Sequence, residues 1–276
     1  MHGKTVIVTG ATSGIGEVAA IRLAERGARI VFTARDAERA DATMKKLRAA
    51  NPSAGHAVHL GDLSLLSEMK RVGAELAAEP QIHVLINNAG ALFNRRTETA
   101  DGLEKTFALN HMAYFVVTNL LLARLKENQG ARIVNVASNA HRGAVINFAD
   151  LQSKHGYSGF NVYSKSKLCN ILFTRELARR LKGSGVTANC LHPGFVATRF
   201  GDQSGGIMRA VIGIAKPLGA IAPEEGADTI IHLASSPEVA EISGEYFYKR
   251  QIAEPTLEAR NDADARKLWE ISTTLS

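Results

Sequence analysis

The chain has little cysteine: two residues in 276, Cys169 and Cys190. That excludes a disulfide framework and a spaced thiolate metal site. Both fall in segments patterned as buried helix and buried strand, so reduced, structural thiols are expected. No stretch approaches about 18 uninterrupted apolar residues, and no membrane span is expected. His2-Gly3-Lys4 runs straight into an apolar strand without a charged-then-apolar leader, so the expected location is cytoplasmic. Lys plus Arg number 33 against 27 Asp plus Glu, a net charge of +6. The basic residues are scattered, so no nucleic-acid partner is expected, while a mild excess suits an anionic cofactor. Repeats, linkers and low-complexity tracts are absent too. With 45% apolar and 22% charged residues, one globular domain over 1–276 is expected.

Against these absences stand several motifs at strand ends. Thr5-Val6-Ile7-Val8-Thr9 reads as a strand, Gly10-Ala11-Thr12-Ser13-Gly14-Ile15-Gly16 as a glycine turn, and the residues to Gly27 as an amphipathic helix. A strand, tight turn and helix N-terminus are what a pyrophosphate requires: close backbone approach and unpaired N–H groups. The spacing differs from the usual G-x-G-x-x-G fingerprint, and a plain strand–helix connection is the alternative. A second strand, 28–33, ends at Ala34-Arg35-Asp36. Arg35 there would meet the extra phosphate of NADP, with Thr12 and Ser13 as hydroxyl donors, whereas an acid would meet the ribose of NAD. Asp36 also suits a cap on the next helix, 37–47.

A third strand, 57–60, leads to Asp62 and Leu63, placed to bond and to cover an adenine ring. Alternatively Asp62 or Ser64 simply starts the next helix. A fourth strand, 82–86, runs into Asn87-Asn88-Ala89-Gly90, whose small residues would admit a cofactor close to the backbone. Asn110 stands in the middle of a long helical region, 102–125, where it is a poor helix former. It is either an exposed filler or a local perturbation. A fifth strand, 131–137, delivers Ser138 to its carboxyl end, the ligand side of an open parallel sheet. The segment 139–161 reads as loop. Its two histidines, His141 and His155, have no third ligand spaced near them, so no metal is expected. A sixth strand, 186–192, closes on Pro193-Gly194, with Val196 and Thr198 beyond. The apolar, glycine-rich stretch 201–219 has the length of a lid or a subunit contact. A helix over 224–234, a seventh strand over 244–248 and a charged amphipathic C-terminal helix complete the chain.

Between strands five and six, apolar residues recur at helical spacing from Leu168 to Leu181. Tyr163 and Lys167 lie one turn apart on that helix, with Cβ atoms about 6 Å apart. An ammonium beside a phenol lowers the phenol's pKa from about 10, making Tyr163 a proton donor or acceptor. Lys165, two residues along, faces elsewhere. The alternative is an ordinary exposed helix turn.

Taken in order, Thr9–Gly16, Asp62-Leu63, Asn87–Gly90, Asn110, Ser138, Tyr163-x-x-x-Lys167 and Pro193-Gly194 resemble the short-chain dehydrogenase/reductases along essentially the full length. The spacing from Ser138 to Tyr163, Asn147–Leu151 and Tyr163–Phe173 are most similar to the retinol-dehydrogenase-like branch. The resemblance implies a doubly wound Rossmann fold: a mostly parallel, seven-stranded sheet with helices on both faces. It also implies a cofactor-binding part over about 1–135 and a catalytic and substrate part over about 136–276. The implied reaction interconverts an apolar aldehyde or ketone and its alcohol with NADP(H) rather than NAD(H). Tyr163 would be the general acid–base, and Lys167 would tune it and hold the nicotinamide ribose. Ser138 would polarise the substrate oxygen, and Asn110 would hold a relay water. Gly10, Thr12, Ser13, Gly14, Ile15, Gly16, Arg35, Asp62, Leu63, Asn88, Ala89, Gly90, Pro193, Gly194, Val196 and Thr198 would complete the cofactor site. A homodimer or tetramer is implied as well. A protein that binds NADP(H) without chemistry is the alternative function.

Overall fold

The computed structural model describes residues 1–195 and 221–276. Five apolar runs of the sequence become strands buried on both faces: β1 (Thr5–Thr9), β2 (Arg29–Ala34), β4 (Val84–Asn87), β5 (Arg132–Val136) and β6 (Thr187–Leu191). Such runs suit a parallel sheet sheltered by helices. With β3 (Ala57–Leu60), β7 (Tyr246–Tyr248) and β8 (Gln251–Ile252) they form one sheet in the order β3-β2-β1-β4-β5-β6-β7-β8. All pairings are parallel except β7 with β8.

The expected count of seven strands is therefore one too low. The eighth has two residues and turns back through Lys249 and Arg250, both at positive φ (48° and 64°). Neither is a glycine or asparagine, so the turn has no compositional signature.

Side chains alternate across each strand. On one face the core joins Ile7 and Leu85 to α3 (Leu66–Ala77), α5 (Ala113–Lys126) and α6 (Gly159–Arg180). On the other, Val6 and Val8 meet α1 (Gly14–Glu25), α2 (Ala37–Ala50) and α7 (Pro223–Ser235). The final helix, α8 (Asp262–Leu275), lies on α6, where Trp269 stacks on Phe173 at 5.8 Å between centroids. The run Lys105–Lys126 is long and apolar enough to cross a membrane, yet 72% of its apolar window is buried as a core helix.

The strand order reverses between β1 and β4, so the crevice of an open α/β sheet opens at their carboxyl ends. There the chain is built for close approach. A Cβ on Gly10 would lie 2.8 Å from the Ala89 Cα, and one on Gly16 would collide with Asn88 Nδ2 and lie 2.6 Å from the Gly10 carbonyl. Asn88 Nδ2 donates to the carbonyls of Thr9 and Gly10 (3.0 and 2.9 Å) and thereby ties the turn after β4 to the turn after β1. Gly16→Ala is expected to break this tie and destabilise the fold by about 1–3 kcal/mol through overpacking. Urea unfolding reads it directly, and an unchanged midpoint would show the tie to be dispensable.

Candidate active site

The glycine turn leaves helix α1 open at its N-terminus. Ser13 occupies the N-cap position in an extended conformation and makes no side-chain cap bond. Thr12, Ser13, Gly14 and Ile15 are all partly exposed there, and Gly10 and Gly14 have positive φ (69° and 58°). Unspent N–H groups with partial positive charge are a site for a pyrophosphate. Thr9, outside the expected cofactor-site residues, aligns the opposite wall: its hydroxyl accepts from the backbone N–H groups of Asn88 and Ala89 (2.9 and 3.1 Å).

At the end of β2 the two charged candidates separate. Asp36 caps α2, its carboxylate accepting from the Arg39 N–H at 2.8 Å. Arg35 is exposed and has no hydrogen bond or ion pair with a described residue. Next along the edge, Asp62 is partly exposed and accepts from the Ser64 N–H at 2.9 Å. Leu63 corrects an expectation. Its side chain is 4% exposed and belongs to the core on the α3–α5 side. It does not cover a ring outside the sheet, because the apolar core takes this side chain.

Asn110 disturbs its helix as one of the two readings allowed. After the short helix α4 (Lys105–Phe107), residues Ala108–Met112 form a π-turn, in which the Ala113 N–H reaches back five residues to the Ala108 carbonyl. The buried Asn110 side chain is fully engaged. It accepts from the Ala91 N–H and donates to the Ala91 carbonyl and to Ser166 Oγ, each at 2.9 Å. Gly90 lies against it: a Cβ there would sit 3.2 Å from Asn110 Oδ1 and 3.5 Å from Lys167 Nζ.

Tyr163 and Lys167 do share a face of α6, and the ordinary exposed turn is excluded because both are buried. Lys167 Nζ lies 5.6 Å from the Tyr163 ring centroid and donates to the Val136 carbonyl at 2.9 Å. Lys165 is partly exposed. Ser138, just beyond β5, hydrogen-bonds Tyr163, and its Oγ also accepts from the Ala140 N–H at 3.1 Å.

The electrostatic balance differs from the expectation that Lys167 holds the phenol's pKa down. Burial pushes Tyr163 up to about 12, with the Ser138 hydrogen bond pulling the other way. Burial also pulls Lys167 down to about 7. The same desolvation that brings the pair together weakens the charge on which the expectation rested.

Polar residues outside the expected site set support this corner. Asn87 Nδ2 donates to Thr118 Oγ1 (2.9 Å) and to Asn135 Oδ1 (2.8 Å), and Asn135 Nδ2 donates to Thr174 Oγ1 (2.9 Å). Thr174 in turn donates to the Asn170 carbonyl at 2.7 Å on α6. Asn87 and Asn135 are register partners in neighbouring strands. Two amides inside otherwise apolar strands were the available signal. Pro193-Gly194 follows β6, with Gly194 at φ 89°. Val196, Thr198 and the 201–219 stretch lie outside the described residues.

A doubly wound sheet with an open phosphate turn at its switch point, and a buried Tyr–Lys pair with Ser138 beside it, defines a dinucleotide-binding oxidoreductase fold. Comparison with known proteins agrees. The short chain dehydrogenase family model matches residues 4–205. Retinol dehydrogenase 14 of Mus musculus is 42% identical over 293 residues, covering 100% of this chain and 86% of the relative. Retinol dehydrogenase 12 of Homo sapiens is 41% identical over 279 residues, covering 100% and 87%. Among solved structures, an uncharacterised protein from Mycobacterium Paratuberculosis is 32% identical with a TM-score of 0.79, covering 99% of this chain and 93% of that one. A short-chain dehydrogenase from Sphingobium yanoikuyae in complex with NADPH is 27% identical, with a TM-score of 0.66 and coverage of 83% and 82%. The chain belongs to the short-chain dehydrogenases and is retinol-dehydrogenase-like. It is an oxidoreductase of alcohols and carbonyl compounds, in a family that binds NAD(P)(H).

Proposed function

We propose that the protein is an NADP(H)-dependent reductase of apolar aldehydes or ketones, reversible as an alcohol dehydrogenase, with Tyr163 as its general acid–base. The observation that carries this reading is the burial of Tyr163 and Lys167 one turn apart, with Ser138 bonded to the phenol, at the carboxyl ends of the central strands. The cofactor fits the residues present. The open N-terminus of α1 and the glycines at 10, 14 and 16 would hold the pyrophosphate, Asp62 and the Leu63 backbone the adenine, and Asn88, Ala89 and Gly90 the middle of the dinucleotide. Lys167, Pro193 and Gly194 would surround the nicotinamide end.

NADP(H) bound there supplies or accepts the hydride. In the direction of reduction, the Tyr163 hydroxyl gives its proton to the carbonyl oxygen and the Ser138 hydroxyl donates a hydrogen bond to the same oxygen. Lys167, with a pKa of about 7, gives up a proton near neutrality more readily than an ordinary lysine and can resupply the phenolate. Both side-chain donors of Asn110 are spent on Ala91 and Ser166. A relay water therefore falls to the π-turn backbone, with the Asn110 amide holding that turn in place.

Substrate apolarity is supported by the surroundings. Val145, Phe160, Phe195 and Leu257 are more than half exposed. Phe160 is one turn before Tyr163, Phe195 directly follows Gly194, Val145 follows the 139–141 turn, and Leu257 follows Thr256, whose N–H donates to His141. The relatives are named for retinol, an apolar alcohol.

The NADP preference rests on Arg35, which has no hydrogen bond or ion pair with a described residue, while Asp36 is engaged as a cap. Arg35→Ala is expected to weaken NADPH binding about tenfold or more, from the loss of a charge-assisted phosphate bond. NADH binding should stay unchanged. Titration of both cofactors, followed by turnover with nonanal and retinal, tests the reading. Equal loss for both cofactors would remove the NADP assignment. Tight NADPH binding without turnover of a broad carbonyl panel would favour a non-catalytic binder.

A further inference from the structure

His141 is fully buried three residues after Ser138, and nothing in the proposed reaction uses it. Its ring bridges two parts of the chain. Nδ1 lies 2.7 Å from the Ser138 carbonyl, and Nε2 lies 3.4 Å from the Thr256 N–H. A carbonyl only accepts and a backbone N–H only donates. The ring is therefore assigned as the neutral tautomer, donating from Nδ1 and accepting at Nε2. Burial draws the imidazole pKa below its ordinary value, as does Arg142, while the Ser138 bond and Glu258 oppose. The Tyr246 ring lies edge-on against the imidazole, 5.2 Å between centroids at 70°.

The two bonds fix one turn. The Ser138 carbonyl also accepts from the His141 backbone N–H at 3.2 Å, closing a short 3-10 helix over Asn139–His141. That helix aims the Ala140 N–H at Ser138 Oγ. With one lone pair taken from the turn side, the hydroxyl's own proton is directed outward, toward Tyr163 and the place where a carbonyl oxygen would sit. The other end of the pin, Thr256, lies beyond β8, so His141 locks the end of β5 to the C-terminal part of the chain.

We propose that His141 is a positioning residue for Ser138: its imidazole sets the direction of the serine hydroxyl by holding the Ser138–His141 turn against the Thr256 backbone. This rests on the reading of Ser138 as the hydroxyl that polarises the substrate oxygen. A histidine that only filled the core would influence folding alone. A positioning residue acts through the serine, and a double-mutant cycle separates the two.

The experiment measures kcat and KM for nonanal with NADPH in His141→Phe, His141→Asn, Ser138→Ala and the Ser138→Ala/His141→Phe pair. His141→Phe is expected to lower kcat about tenfold through misorientation, with KM and NADPH binding little changed. His141→Asn, whose amide nitrogen can stand where Nδ1 stood, should recover most of the loss. In the Ser138→Ala background His141→Phe should cost nothing further. Should the phenylalanine variant fail to fold, His141→Gln takes its place in the cycle, since its amide reaches the Thr256 end and leaves the Ser138 carbonyl with its backbone bond from His141 but without a side-chain donor. An equal fold-loss in both backgrounds overturns the inference, as does an asparagine variant no better than phenylalanine. A Ser138→Ala enzyme with unchanged kcat overturns the role of Ser138 itself, and this inference with it.

Discussion

Tyr163→Phe is expected to lower the turnover of nonanal about a thousandfold, within the range for removal of a positioned general acid, while NADPH binding stays within about twofold. The substitution deletes one oxygen and keeps the ring, so the buried site on α6 suffers no cavity. Ser138 Oγ keeps its bond from the Ala140 N–H, and Lys167 keeps the Val136 carbonyl. Stability should therefore be nearly that of the parent, and the loss should appear in kcat rather than in KM. With Tyr163 held up at about 12 by burial, the phenol is protonated across the neutral range and is ready as an acid for reduction. In the oxidation direction it must first lose that proton, so alcohol oxidation is expected to rise toward alkaline pH. Steady-state assays combined with NADPH fluorescence titration check this. Turnover within tenfold of the parent would remove Tyr163 from the proton-transfer role.

Much of this site could be read from residue order because its chemistry depends on spacing. Tyr163 and Lys167 are one helical turn apart whatever surrounds them, and Ser138 ends a strand whose direction follows from the alternation of strands and helices. The turn of glycines after β1 was legible for the same reason. What escaped was set by burial and by partners distant in sequence. Leu63 is adjacent to a plausible adenine-binding acid, yet the core claims its side chain. Residue order offers His141 and His155 alike as histidines without a third ligand, and only the fold separates them: His141 is buried and bonded across 115 residues to Thr256. His155, the other, is exposed beside Asp150. The sign of the effect on Tyr163 was misjudged for the same reason, since the helix supplies proximity but only the folded core supplies desolvation.

Lys167→Met is expected to abolish turnover and, at the same time, to stabilise the fold below neutral pH. The lysine is 3% exposed and its pKa falls from 10.5 to about 7 through burial. Between those two values the unfolded chain carries a proton on this residue that the folded chain lacks, so the stability of the parent rises with pH across that window. Below about 7 both states are protonated and the full penalty of burying the ammonium is present. Methionine fills similar volume without a charge. The Val136 carbonyl it deserts is not orphaned, because Tyr114 Oη and Asn170 Nδ2 also donate to it at 3.4 and 3.5 Å. The gain of the methionine variant should thus be largest at pH 6, shrink from about pH 7, and be mostly gone near 10.5. Burial holds His111 at about 3 and His192 at about 4, and both are common to the two proteins, so their own pH dependence cancels in the comparison. Urea unfolding at pH 6, 8 and 10 reads the difference. A gain that stayed constant with pH would mean that Lys167 is not the group whose burial sets it. A variant that kept its turnover would mean that the ammonium is no part of the proton path. The outcome expected on both counts is a residue that weakens the fold it sits in and is retained for the proton it moves.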